Sequence, residues 1–434
     1  MTSLPSINAA DWANQLLTLV GSNQRITTPA FESAPIADWA RSGAVAITGT
    51  PNQPLMPTGF AATASRAAMS AFEAITGISG IAGEQLLGER AALSRWPPKA
   101  PWTLGLHCRA VRTLDGWFAL SLARPTDLES VPALISAPTT NEWFSVDAWA
   151  RTHTTQQAVD RCRLLGMPAG AIDSVSSHEL MRIESNGESA ARELKGLRVI
   201  DLSTLWAGPL CGNLLQNAGA EVIRVESAKR PDGSREGVIA FDDLLHAGQP
   251  SVTFDPEHLE FLHALIDIAD IVITSARPRG LTSLGLDPDL WLANRNNGVW
   301  VQLSAYGSTA DEANWIGFGD DTAMAAGLVR WIEGIPIPVA DALADPLTGI
   351  HAAVACAALA QNGGTHLIDI ALANVAAATR TDTLVIDPTQ VRGKWVVETE
   401  FGIRSVERPK ARTVHGTARA LGADNDRVRA ELAG

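Results

Sequence analysis

The sequence predicts an α/β fold: a doubly wound parallel sheet with a smaller α+β unit ahead of it. Three observations carry that prediction. LRVIDLS (197–203) and AEVIRVE (220–226) are short apolar runs of strand length, with helical periodicity over 209–218 between them. IADIVITSA, GVWVQLSAYG and THLIDIAL repeat the pattern, again with helical stretches such as 256–268 between runs; strand, crossover and strand at this spacing build a parallel sheet. Earlier in the chain CRAVRTLDGWFALSL (108–122) holds two alternating runs about Asp115-Gly116, a hairpin signal.

The elements follow in order. Helical periodicity covers 11–20, 60–75 and 83–94 before the hairpin, and 146–152 and 155–165 after it; GMPAGAI then reads as a turn and a short strand. The stretch 172–193 is polar and weakly periodic, which reads as a linker, so the chain divides into a first unit, 1–180, and a larger second unit, 194–434. Ligands of doubly wound sheets sit at the carboxyl ends of strands, so the loops to inspect are 203–209, 227–235 and 275–284.

Composition narrows the function. With 434 residues, 46% of them hydrophobic, the chain is long enough for more than one core. Against 34 Lys and Arg stand 47 Asp and Glu, a formal charge of −13 that argues against nonspecific nucleic-acid or anionic-membrane binding while allowing a local basic patch. The longest strongly apolar run, 349–360, is too short to span a bilayer, and the polar residues around Asp11 interrupt any signal-peptide core. Cys108, Cys162, Cys211 and Cys356 are too dispersed for a disulfide framework or a zinc site, so a reducing, cytoplasmic setting is expected, with no metal.

The first strand is followed by STLWAGP rather than G-x-G-x-x-G, and there is no Walker loop, G-x-S-x-G elbow or H-E-x-x-H. Ala207-Gly208-Pro209 closes this loop. Gly208 reads either as a place where a ligand approaches the backbone or as part of a tight strand-to-helix turn with no ligand.

LKGLRVIDLSTLWAGPLCGNLLQNAGAEVIRVES, carrying Asp201, Ala207–Pro209 and Gly219–Glu226, resembles the opening of the family III CoA-transferases, which include formyl-CoA and carnitine CoA-transferases and alpha-methylacyl-CoA racemase. Further blocks resemble the family in order: PSVTFD, ADIVITSARPRGLTSLGL, DDTAMAAGL, ADPLTGIHAAVACAALA and the terminal GADNDRVRAEL. LDGWFALSLARPTDLESVPAL and DAWARTHTTQQAVDRCRLLGMPAGAI resemble the family's small domain, which ordinarily follows the aspartate block and here precedes it. The resemblance implies a Rossmann-like large domain and transfer of CoA between carboxylic acids, in lipid or carboxylic acid metabolism. It implies no permanently bound cofactor, with coenzyme A or acyl-CoA and a carboxylate acceptor as substrates.

The family's catalytic aspartate falls on Asp345. In the family reaction a carboxylate attacks the acyl-CoA thioester, giving a mixed anhydride and then an enzyme-CoA thioester. Gly349 and the amides just after Asp345 are candidate oxyanion or close-approach positions. Apart from the resemblance, Asp345 also reads as a helix N-cap, and nearby Asp341 as a solvated turn residue. Asp320 matches a second acidic position of the family, or complements a helix dipole. The candidate CoA contacts are Thr204, Leu205, Trp206, Ala207, Ser227, Phe254, Ser275, Ala276, Arg277, Arg279 and Leu284. Gln249-Pro250 replaces the family's Lys-Arg pair, Ser275-Ala276 its Asn-Phe, and Ser283 an arginine, which weakens the hold on a ligand with three phosphates. Arg277 and Arg279 supply replacement cations or are solvated. Phe318 stands where the racemase branch has histidine, and phenyl moves no proton, so a racemase is the lesser alternative to a non-catalytic CoA-binding or structural paralogue. The resemblance also implies an interlocked homodimer.

Overall fold

The computed structural model describes residues 8–27, 34–176, 179–381 and 385–433. Helix α1 (Ala9–Leu19) starts where the Asn8 side chain accepts the Asp11 amide, and it buries Ala13, Leu16 and Leu17 along one face. Helix α2 (Ala61–Thr76) stops at Gly77, whose φ of 76° is the left-handed geometry of a helix end. After a 3-10 turn comes the short α3 (Glu89–Ser94). The reading above places these helices in the first unit. They pack instead into the core of the large sheet, because their buried faces are lined by small residues such as Ala64, Ala68 and Ala71, which permit close helix contact.

The α+β unit that follows has its own core. Strands β1 (Cys108–Arg112) and β2 (Trp117–Ser121) form the expected hairpin, with Val111 opposite Phe118. Helices α4 (Pro125–Ile135), α5 (Glu142–Ala150) and α6 (Thr155–Leu164) cover it, and β3 (Ala169–Ala171) pairs with β2. Val111, Phe118, Leu120, Val131, Leu134, Val146 and Val159 fill the interior.

The stretch read as a linker, two residues of which (177–178) lie outside the described set, also contains a strand. β4 (Arg182–Asn186) is polar and mostly exposed, which suits an edge position. The remaining strands of its sheet are β5 (Arg198–Asp201), β6 (Glu221–Ser227), β7 (Ser251–Phe254), β8 (Ile271–Thr274), β9 (Gly298–Ser304) and, beyond a small β10–β11 hairpin (Val329–Ile332, Ile335–Pro338), β12 (Thr365–Ala371). Spatial order is β4-β12-β9-β8-β5-β6-β7, parallel except for β4. Alternate residues face opposite layers: Val199, Ile271, Ile273, Val299 and Val301 join the core shared with α1 and α2, while Ile200, Val272 and Trp300 join a second core on the other face. The first strand of the parallel set, β5, lies between β6 and β8. The chain reverses its direction of travel there, so the β5 and β8 loops open at the topological switch point. Among the described residues, no helix is long and apolar enough to cross a membrane.

Candidate active site

The loop after β5 is built by short-range packing. Asp201 is buried, and its Oδ1 accepts the Ser203 amide at 2.9 Å and the Ser203 hydroxyl. Burial pushes the Asp201 carboxyl up to about 6, against the pull of those bonds. A Cβ on Gly208 would lie 1.9 Å from Ser203 Oγ, so Gly208 serves the tight turn, the second of its two readings. Leu205 adopts a left-handed φ of 70°, and its amide donates to both Asp232 oxygens at 3.1 and 3.2 Å. Asp232 is in turn held by Arg224, itself 2% exposed. The loop therefore presents Thr204 and Leu205 outward and turns Trp206 inward against Phe241. Ala207 begins helix α7 (Ala207–Asn217) and is buried.

Helix α8 (Ile239–His246) covers this loop from one side. On the other, α9 (Gly319–Ala325) and α10 (Ala344–Asn362) meet end to end with four aspartates at the junction. Asp345 sits within the first turn of α10 rather than at its N-cap, Leu343. Its Oδ2 accepts the Gly319 amide at 3.1 Å, so it caps α9 and not its own helix. Asp320 Oδ1 accepts the Ala342 amide at 2.9 Å, and the Thr103 hydroxyl also bonds it. Asp321 is fully buried, accepting the Phe318 amide and the Ser121 hydroxyl on one oxygen while the other has no partner. Asp341, expected as a solvated turn residue, is likewise fully buried and paired with Arg90 of α3, whose Nε lies 3.0 Å from its Oδ2.

Crowding carboxylates away from water raises their affinity for protons. Burial drives Asp345 up to about 7 despite the opposing charge of Arg90, with Asp320 adding to the rise. Burial and Asp341 lift Asp320 to about 6, and burial lifts Asp321 to about 7. For Arg90 burial works against the charge, but Asp341, Asp320 and Asp345 together hold its proton more tightly than usual. Asp345 and Asp320 remain partly exposed, so the cluster offers reachable carboxyl groups that hold their protons more tightly than usual.

The remaining predicted residues divide. Gly349 is buried in α10, where a Cβ would come within 2.5 Å of the Ala207 carbonyl oxygen; its close approach is to α7. Ser227, Ser275, Ala276, Arg277 and Arg279 follow the carboxyl ends of β6 and β8, all at least partly exposed. Phe254 is 5% exposed and Leu284 packs on the same core, so both face the interior of the second layer. Arg277 Nη1 donates to the Asn314 carbonyl at 3.2 Å. Burial, then the charges of Arg279, Arg124 and Arg230, make its proton easier to lose, which places those three guanidinium groups within electrostatic reach of Arg277. Arg124 comes from the small unit and lies 5.7 Å over the Phe318 ring, beside α9. Arg90, Gly319 and Asp232 escaped the sequence reading, which took Asp341 for a solvated turn residue. Phe-Gly-Asp-Asp, a glycine beside paired acids at a helix start, is a signal that could have found Gly319; nothing local distinguishes Arg90 from a surface helix residue.

A doubly wound sheet with a carboxylate cluster near its switch point defines the class. Residues 194–404, which carry Asp345 and all strands of the sheet but β4, match CoA-transferase family III. Succinyl-CoA–D-citramalate CoA-transferase of Chloroflexus aurantiacus is 30% identical over 199 residues, 42% of this chain and 49% of the relative. The probable fatty acyl-CoA transferase Rv3272 of Mycobacterium tuberculosis is 30% identical over 214 residues, 45% and 54% of the two chains. Succinate–glutarate CoA-transferase of Agrobacterium fabrum is 29% identical over 209 residues, 43% and 52%. The chain spans about half the length of these curated relatives. Among solved structures, a CAIB/BAIF family protein from Brucella suis aligns with a TM-score of 0.42 at 24% identity, over 48% of this chain and 66% of that one.

Proposed function

We propose that the chain is an acyl-CoA:carboxylate CoA-transferase in which Asp345 is the nucleophile. Its carboxylate attacks the thioester carbonyl, forming the C–O bond of a mixed anhydride as the C–S bond breaks and CoA thiolate departs. The thiolate returns to the aspartyl carbonyl, giving an enzyme thioester and releasing the acyl group as a carboxylate; the acceptor carboxylate then runs the sequence in reverse. The observation that carries this reading is the position of Asp345: partly exposed, on the first turn of α10, at the family's motif, and held by the Gly319 amide. The positive end of the α10 dipole, rather than its first-turn amides, favours the developing oxyanion, since Pro346 lacks an N–H and the Asp345 amide is taken by the Ala342 carbonyl. The cluster Arg277, Arg279, Arg230 and Arg124 receives the CoA phosphates, with Thr204, Leu205, Ser227, Ser275 and Ala276 around the nucleotide. The relatives' names point to aliphatic mono- or dicarboxylates as donors and acceptors.

A cytoplasmic setting belongs to this reading, as does a homodimer, the latter on the family resemblance alone. Within one chain the small unit already reaches the carboxylates, through Ser121 on Asp321 and Thr103 on Asp320. Light scattering tests the dimer: a stable mass near 45.9 kDa overturns it. The chemistry is tested by incubating the protein with succinyl-CoA, quenching with hydroxylamine and mapping the adduct by mass spectrometry. A hydroxamate on Asp345 supports the mechanism; unmodified Asp345 across a panel of acyl-CoA donors overturns it.

A further inference from the structure

We propose that Arg90, which lies outside the family-matching segment, is the positioning residue of the carboxylate cluster: through Asp341 it fixes the turn that aims Asp345, and it supplies the charge that favours Asp345 as a carboxylate. This rests on the reading of Asp345 as nucleophile.

The geometry begins with the turn before α10. Asp341 stands between Ala340 at φ 58° and Ala342 at φ 43°, two alanines in the left-handed region that disfavours residues with a Cβ. Such a conformation persists only where its surroundings hold it. The Ala340 amide donates to Thr48 Oγ1 at 2.9 Å and the Ala342 amide to Asp320, while the Asp345 amide donates to the Ala342 carbonyl at 2.9 Å. Between those two amides the Asp341 side chain is gripped on both oxygens by the Arg90 fork. The guanidinium carbon also lies 5.0 Å from the centre of the Trp206 ring, so one cation ties the strained turn to the loop after β5. The Arg90 side chain keeps 26% of its surface exposed, which a purely internal strut does not need.

The charged groups facing Asp345 are Arg90 from α3, Asp341 from the turn and Asp320 from α9. His107 of the small unit faces Arg90, and burial followed by that charge favours its neutral form. The helices packed against α10 add no competing charge at this end: α7 and the helix Leu372–Ala378 carry none, while Arg66 of α2 pairs with Asp38 and Glu84 of the 3-10 turn after α2 (Gly83–Gly88) with Arg41. Glu73 of α2 accepts the Gly80 amide, and His366 and Asp369 of β12 bond Ser185 and Ser308.

The test uses the full chain without substrate. Asp345 is labelled with a water-soluble carbodiimide and glycine amide across pH, and the extent is read by peptide mass spectrometry; adduct formation from succinyl-CoA is measured in parallel. Arg90→Met should move the Asp345 midpoint upward by about one pH unit or more, because a buried carboxylate loses its counter-charge. Arg90→Lys should hold the midpoint near wild type yet slow adduct formation roughly tenfold, since an ammonium keeps the charge and lacks the fork. Asp341→Asn should move the midpoint downward, a sign opposite to that of Arg90→Met. An unmoved midpoint in Arg90→Met overturns the proposal; where that variant does not fold, a wild-type adduct rate in Arg90→Lys does so. A midpoint that moves in a protein forming no adduct leaves the Arg90 assignment standing and removes the transferase reading instead.

Discussion

Asp345 and Asp320 each hold the backbone that carries the other. The Asp345 carboxylate takes the amide of Gly319, the residue before Asp320, and the Asp320 carboxylate takes the amide of Ala342, three residues before Asp345. Two helix starts are thereby latched together by two charge-assisted bonds, and neither carboxylate caps the helix on which it sits. The arrangement keeps one oxygen of Asp345 engaged and leaves the other for chemistry.

That latch makes Asp345→Asn informative. Asparagine retains a carbonyl oxygen for the Gly319 amide, so the variant should fold with a melting temperature within a few degrees of wild type. Its amide is a very poor nucleophile, so transfer and adduct formation should both disappear. Transfer close to wild type in Asp345→Asn would falsify the assignment.

Gly319 is the tightest point beside Asp345. A Cβ there would lie 2.3 Å from the Ala342 carbonyl oxygen and 2.4 Å from Asp345 Oδ2. Gly319→Ala must therefore displace the turn or the carboxylate, and it should cost at least tenfold in adduct rate with a destabilisation of about 1–3 kcal/mol. Gly349→Ala, which meets the Ala207 carbonyl and Leu210 of α7 and no carboxylate, should destabilise comparably while affecting chemistry less per unit of stability lost. Denaturant midpoints and single-turnover rates on both variants separate the two effects; equal rate losses at equal stability would contradict the distinction.

Much of this site was legible in the chain. Short β-branched runs at crossover spacing specify a parallel sheet because each strand must be apolar on both faces, and the strand order places the loops after β5 and β8 together. Asp345 was reached through its motif. Asp341 was not, since an acid between alanines reads as solvated until its partner is known, and Arg90 lies 251 residues away in sequence. The first three helices were assigned to the wrong neighbour for a related reason: periodicity reveals that a helix has a buried face but not what it is buried against. The edge strand β4 was hidden because edge strands bury little, and its polar residues resemble a linker.

The arginine cluster carries the CoA prediction. Arg277 feels Arg279, Arg124 and Arg230 together, and like charges so placed favour a polyanion between them. Changing Arg277 and Arg279 to alanine should weaken CoA binding by roughly several-fold to a hundredfold and flatten its salt dependence. Isothermal titration with CoA at two ionic strengths measures both. Unchanged affinity would mean that the phosphates are held elsewhere, with Arg124→Ala and Arg230→Ala as the next comparison.

Asp321 links the site to stability. It is fully buried, bridges the two units through the Ser121 hydroxyl at 2.8 Å, and has an oxygen with no partner. Burial raises its carboxyl to about 7 from the ordinary 3.8, so the native state binds a proton there that the unfolded chain has already released. The sign follows directly: stability associated with this proton is fully present below about pH 4 and is lost as pH rises towards 7. Acid protonation of other carboxylates opposes this at the low end, so the effect is cleanest as a difference between proteins. Asp321→Asn resembles the protonated form, keeps an oxygen for Ser121 and Phe318, and does not titrate. Between pH 5 and 8 wild type should lose of the order of 2–4 kcal/mol relative to Asp321→Asn. Urea unfolding of both proteins across that range checks it: parallel stability curves would show that the Asp321 pKa is not raised by folding, and a steeper decline in the variant would contradict the sign.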